Sequence, residues 1–109
     1  MKTLPVIGLL LSLAHAAASP AASGQELWMD KCALCHGADG KAQTPMGKKL
    51  QIKNFADAKV QADMRDDAMF KAIKEGKKSD GGKTLMPPAA NVTDADISAL
   101  MQVVRGFKP

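Results

Sequence analysis

The sequence predicts an all-α domain of three to four helices, and three observations carry that reading. Ile97, Leu100, Met101 and Val104 recur at i, i+3, i+4 and i+7, the spacing of one helical face. Thr93 stands ahead of them with Asp96 three residues later, a capping-box pattern for the start of that helix. Met69, Phe70 and Ile73 form a second apolar stripe, behind Asp66 and Asp67 and ahead of Gly76. Acids suit the positive end of a helix dipole, and glycine suits the residue after its last turn. Finally, the chain offers no internal repeats, no strand runs and no hairpin signals. A chain of 109 residues is enough for one small domain.

The most specific stretch is Cys32-Ala33-Leu34-Cys35-His36. Two cysteines separated by two residues and followed at once by histidine form the attachment signature for c-type haem. The two thiols would add across the haem vinyl groups as thioethers. The His36 imidazole, one helical turn after Cys32, would reach iron from the same side. Three plainer readings compete. A thioredoxin-like pair needs a βαβ context, which is missing. A zinc site needs further ligands, yet these are the only two cysteines and the only other histidine is His15. A structural disulfide is the third.

His15 falls in a leader. Lys2 is a short positive region, residues 4–13 are mostly apolar, and Ala14-His15-Ala16 and Ala16-Ala17-Ala18 are small-x-small cleavage sites. This is the pattern of a secretory signal peptide over residues 1–18, cleaved after Ala18 or Ala16. The apolar run is shorter than the ~20 residues that span a bilayer. The mature chain would have no membrane span. Export to a bacterial periplasm agrees with a haem that is generally attached outside the cytoplasm. With His15 removed, His36 is the only histidine, and bis-histidine ligation within one chain is excluded. The sixth iron ligand is then methionine, lysine, water or nothing.

Residues 19–23 read as a small, polar, flexible tail, and residues 24–109 as the domain. Gln25 to Cys35 is predicted as one helix, with Leu27, Lys31 and Leu34 on one face and Trp28, Cys32 and Cys35 on another. Ala38 to Arg65 has little periodicity and is expected to be a long loop with one helical turn near Lys48. Such a loop makes sense if it wraps a large apolar cofactor, with Leu50, Ile52 and Phe55 toward it. Lys77 to Lys83 is expected to be a charged, Gly-rich loop. The formal net charge of +4 is too small to imply nucleic-acid binding.

Met86 leads the candidates for the sixth ligand. It follows a flexible segment, and Pro87 and Pro88 stiffen the loop behind it. A thioether is a soft ligand suited to haem iron. Met46 and Met64 are rivals, because they too lie outside the predicted helices. Met29, Met69 and Met101 fit helix faces and read as core.

Taken together, the order of parts resembles a small bacterial class I c-type cytochrome. The shared features are an N-terminal helix running into Cys-x-x-Cys-His-Gly-x-x-Gly, a wrapping loop, a helix ending in Gly, a Met-Pro loop and a C-terminal amphipathic helix. The resemblance spans Gly24 to Phe107. It implies the cytochrome c fold, wrapped around one covalently attached haem c, with the first and last helices crossing near one haem edge. Gly24 and Trp28 match the family's Gly-x-x-x-aromatic pattern, and Leu100 and Val103 would be the opposing contacts. The chain departs from the family in carrying Val103 where an aromatic often stands. Pro45 is similar to the family proline whose carbonyl receives the histidine Nδ1–H. The implied function is that of a soluble, monomeric, monohaem electron carrier with no enzymatic activity. It would meet redox partner proteins through Lys71, Lys74, Lys77, Lys78 and Lys83. The alternatives are a haem subunit of a larger dehydrogenase or oxidase, and an open-site haem enzyme or sensor if Met86 does not ligate.

Overall fold

The computed structural model describes residues 2–5, 8 and 22–108. The predicted cleavage sites, His15, most of the apolar leader and residues 19–21 of the tail lie outside the described residues. Among the described residues, no helix is long and apolar enough to cross a membrane.

Three helices form the body: α1 (Gly24–Lys31), α5 (Asp66–Glu75) and α6 (Asp94–Gly106). Three shorter pieces lie between the first two: α2 (Ala33–His36), α3 (Pro45–Lys49) and α4 (Ala58–Asp63). The predicted helix 25–35 is therefore interrupted at Cys32, whose φ and ψ are −120° and −35°. Hydrogen bonding continues across the interruption. The Cys32 N–H donates to the Trp28 carbonyl, and the His36 N–H donates to the Cys32 carbonyl.

The region expected to be one long loop is more ordered than its periodicity suggests, and the expected three to four helices become six helical segments among the described residues. α3 is the turn expected near Lys48. α4 was not expected, because Val60 is the only large apolar residue among its six. Its start is fixed by the Asp57 carboxylate, which accepts from the N–H groups of Lys59 and Val60 at 2.9 and 3.1 Å. Such a cap contributes about 0.5–2 kcal/mol.

The charged segment after α5 is also not a plain loop. β1 (Lys77–Lys78) pairs antiparallel with β2 (Thr84–Met86), with Lys77 opposite Met86 and an irregularity in the register. Strands of two and three residues are too short for alternation to show. The signal that was present is the turn chemistry of Ser79, Asp80, Gly81 and Gly82.

α6 closes the core. Thr93 and Asp96 form the expected capping box, with reciprocal bonds of 3.1 and 3.0 Å. Ile97, Leu100 and Val104 are buried, and they pack with Leu27, Trp28, Met69 and Ile73. α6 crosses α1 at Gly24. A Cβ there would stand 2.8 Å from the Ala99 carbonyl oxygen and 3.2 Å from Val103 Cγ2. Only glycine lets the two helices come this close. Val103 is thus an opposing contact as expected, Ala99 is a second at Gly24, and Leu100 packs in the same cluster as Trp28. Leu34, grouped by periodicity with buried Leu27, is 85 % exposed, because the interruption at Cys32 ends that face.

A candidate haem-binding cleft

α1 and α2 bring Lys31, Cys32, Cys35 and His36 to one wall of a cleft of about 240 Å³. Ile73 of α5 and Ile52 line it as well. The Leu85-Met86 strand end and the segment Pro87 to Ala90 complete the lining. The cleft therefore joins residues from across the sequence, and all but Lys31 and His36 of its lining are apolar or sulfur-bearing.

The Met86 side is held in place by the end of α5. Gly76 caps that helix at φ +77°, a left-handed conformation that favours glycine. A Cβ at Gly76 would collide with the Met86 carbonyl oxygen and crowd Pro88. The Ala89 N–H donates to the Ile73 carbonyl at 3.0 Å, fixing the segment just after the two prolines. Of the three loop methionines, Met86 lines the cleft. Met46 is 41 % exposed on α3. Met64 is half-buried against the core, and its carbonyl accepts from Arg105 Nη2 at 2.6 Å.

The cysteines are both free thiols. Burial pushes the Cys32 thiol up to about 11, against the smaller opposing pull of the Lys31 charge. A reactive redox dithiol needs the reverse, a thiol whose pKa is lowered by its surroundings. Among the described residues, no group of three or more His, Cys, Asp or Glu side chains could hold a metal ion.

Burial also lowers the pKa of His36. That shift favours the neutral imidazole, the form that binds a metal. His36 Nδ1 is buried and has no hydrogen-bond partner among the described residues. The Pro45 carbonyl, the partner the resemblance implies, is not hydrogen-bonded to it in this structure. Pro45 is the first residue of α3. What surrounds His36 is aromatic. Phe55 stacks on it with ring centroids 5.1 Å apart and planes 19° apart. Trp28 lies 5.6 Å away at 44°. Phe55 was expected to face the cofactor. It lies against the histidine instead and does not line the cleft, and neither does Leu50. Ile52 does line it.

Thr44 also matters to the site, although the sequence did not single it out. Its hydroxyl donates to the Cys35 carbonyl at 2.6 Å and accepts from the Gly47 N–H at 2.9 Å, which ties α3 to the Cys-x-x-Cys-His segment. The available signal was Thr followed by Pro, an N-cap before a first-turn proline. Two thiols and an imidazole on one wall, a thioether on the lining and apolar surroundings make a donor set that fits haem c.

Comparison with known proteins agrees with this chemistry. The family model described as cytochrome c oxidase, cbb3-type, subunit III matches residues 19–102. Among solved structures, the KustC0563 c-type cytochrome is similar at 36 % identity with a TM-score of 0.69, over 81 % of this chain and 100 % of that one. A mutant of the same protein aligns with a TM-score of 0.66 at 36 % identity, over 80 % of this chain and 100 % of that one. Among curated proteins, none matches at a significant level. The chain belongs to the c-type cytochromes, in the family described as cytochrome c oxidase, cbb3-type, subunit III, and it is a small electron-carrier domain with covalently bound haem c.

Proposed function

We propose that this chain is a soluble, monomeric, monohaem carrier of the bacterial periplasm. In this reading Cys32 and Cys35 hold the haem as thioethers, and His36 and Met86 are the axial ligands. The observation that carries it is the presence of Met86 on the lining of the same cleft as Cys32, Cys35 and His36. Bound haem supplies a one-electron Fe(III)/Fe(II) couple. The protein supplies fixed ligands and a largely apolar wall, so that little reorganises when charge changes. His/Met ligation raises the potential. No catalytic base or nucleophile is needed. Residues 1–18 act as the leader, 19–23 as a tail and 24–109 as the haem domain.

Redox partners dock, in this proposal, near the hairpin. Lys77, Lys78 and Lys83 are exposed there, and Lys77 pairs in register with Met86. Lys71 and Lys74 contribute less. Lys74 forms a 2.9 Å ion pair with Asp94, and Lys71 lies 4.0 Å from Glu75.

Denaturing mass spectrometry of exported protein tests the attachment. The expected mass is the chain from residue 19 plus one haem. Bare polypeptide mass, with haem extracted by acid acetone, would contradict it. The family's printed description supports a second reading, a haem subunit of a larger oxidase. Native sizing of the exported protein separates the two, since a free carrier elutes at the size of the single chain.

A further inference from the structure

We propose that Lys31 raises the reduction potential of the haem by standing as a fixed positive charge on the cleft wall. The inference rests on the reading that Cys32 and Cys35 hold the haem in this cleft. When the iron takes one electron from a donor protein, Fe(III) becomes Fe(II) and the site gains one negative charge. No bond is made or broken at Lys31, and no proton moves there. Its ammonium attracts the reduced site more than the oxidised one, which favours the ferrous form.

The surroundings of Lys31 leave that charge effective. It directly precedes Cys32, and it is the only Lys, Arg, Asp or Glu on the lining of the cleft. Its charge reaches the Cys32 sulfur, where it opposes the effect of burial. Its side chain is 25 % exposed, against 83 % for Lys59 and 76 % for Lys71. Less water around a charge means less screening, and the apolar lining weakens its field little. Asp30 is its ion-pair partner among the described residues, but it lies at 4.0 Å and is 76 % exposed. A pair that open to solvent offsets the charge only in part. The plainer role for Lys31 is structural. It stands in the last turn of α1, where a cation suits the negative end of the helix dipole. That role acts on stability and not on the potential.

The test is redox titration of the holoprotein followed by visible spectroscopy, alongside thermal melts. Lys31→Gln removes the charge, Lys31→Glu reverses it and Lys31→Arg keeps it. Lys59→Gln removes a lysine of α4 that pairs with Asp63 and does not line the cleft. The proposal expects a lower midpoint potential in Lys31→Gln and a downward shift roughly twice as large in Lys31→Glu, since the charge changes by two. Added salt should narrow both shifts. Lys31→Arg and Lys59→Gln should titrate like wild type, and the red charge-transfer band of the ferric form should persist in all four. A Lys31→Gln protein that melts lower but keeps the wild-type potential would overturn the proposal, because only the dipole role would remain. An equal shift in Lys59→Gln, or loss of the red band in the Lys31 variants, would also overturn it. A wild-type protein that releases its haem to acid acetone would instead overturn the attachment on which the proposal rests.

Discussion

Trp28 Nε1 donates a 2.9 Å hydrogen bond to the Gly37 carbonyl, from a side chain only 2 % exposed. The bond spans the Cys-x-x-Cys-His segment, joining the helix before it to the turn after it. Trp28→Phe leaves that carbonyl without its partner. Its expected cost is about 1–3 kcal/mol, read as a lower denaturation midpoint of the holoprotein. An unchanged midpoint would show that water replaces the indole N–H at no loss.

Leu100 is fully buried at the centre of the α6 stripe. Leu100→Ala should cost roughly 2–5 kcal/mol by removing apolar contact and leaving a cavity. At the neighbouring crossing, Gly24→Val should cost about 1–3 kcal/mol, because its side chain meets the Ala99 backbone. Thermal melts of both variants check the crossing. A melt of Gly24→Val equal to wild type would contradict a close approach there.

The parts of the fold that could be read from sequence are those in which one element's own pattern decides the outcome. The α6 stripe and the Thr93–Asp96 cap needed only local spacing, and both formed. α4 carries a single large apolar residue, so its helix depends on the Asp57 cap and on contacts made elsewhere. The 77–86 hairpin is too short for alternation, and only its turn residues announced it. At the site, Cys32, Cys35 and His36 were visible because their chemistry fixes their spacing. The contact between His36 and Phe55 was not, since 18 residues with little periodicity separate them. Pro45 begins α3, which the sequence showed only as one turn near Lys48.

Arg105 binds α6 to the segment around α4. Its guanidinium donates to the carbonyls of Gln61 and Met64 at 2.7 and 2.6 Å, and to Asp66 at 2.8 Å. Arg105→Leu leaves two carbonyls unpaired and should loosen residues 58–66 locally. Hydrogen exchange of the Met64 N–H, which bonds to the Val60 carbonyl at 3.1 Å, should quicken severalfold while core amides of α6 hold. Equal protection at Met64 would mean that the clasp adds nothing to local order.

Charge on the hairpin should act on the encounter rate. Lys77→Glu with Lys78→Glu should slow bimolecular electron transfer with an acidic redox partner at low salt. The difference should shrink as salt rises, because the Debye length falls from about 10 Å at 0.1 M to about 3 Å at 1 M. Stopped-flow kinetics across that range reads the effect. Identical rates at low ionic strength would make these lysines ordinary surface.

The central claim is that Met86 completes the iron's coordination opposite His36. The measurement that reaches it most directly is the visible spectrum of the ferric holoprotein, in which methionine sulfur bound to iron gives a weak charge-transfer band in the red. Met86→Ala should abolish that band and lower the reduction potential, while Met46→Ala and Met64→Ala keep both. A band that survives in Met86→Ala and vanishes in either of the other two would contradict the claim.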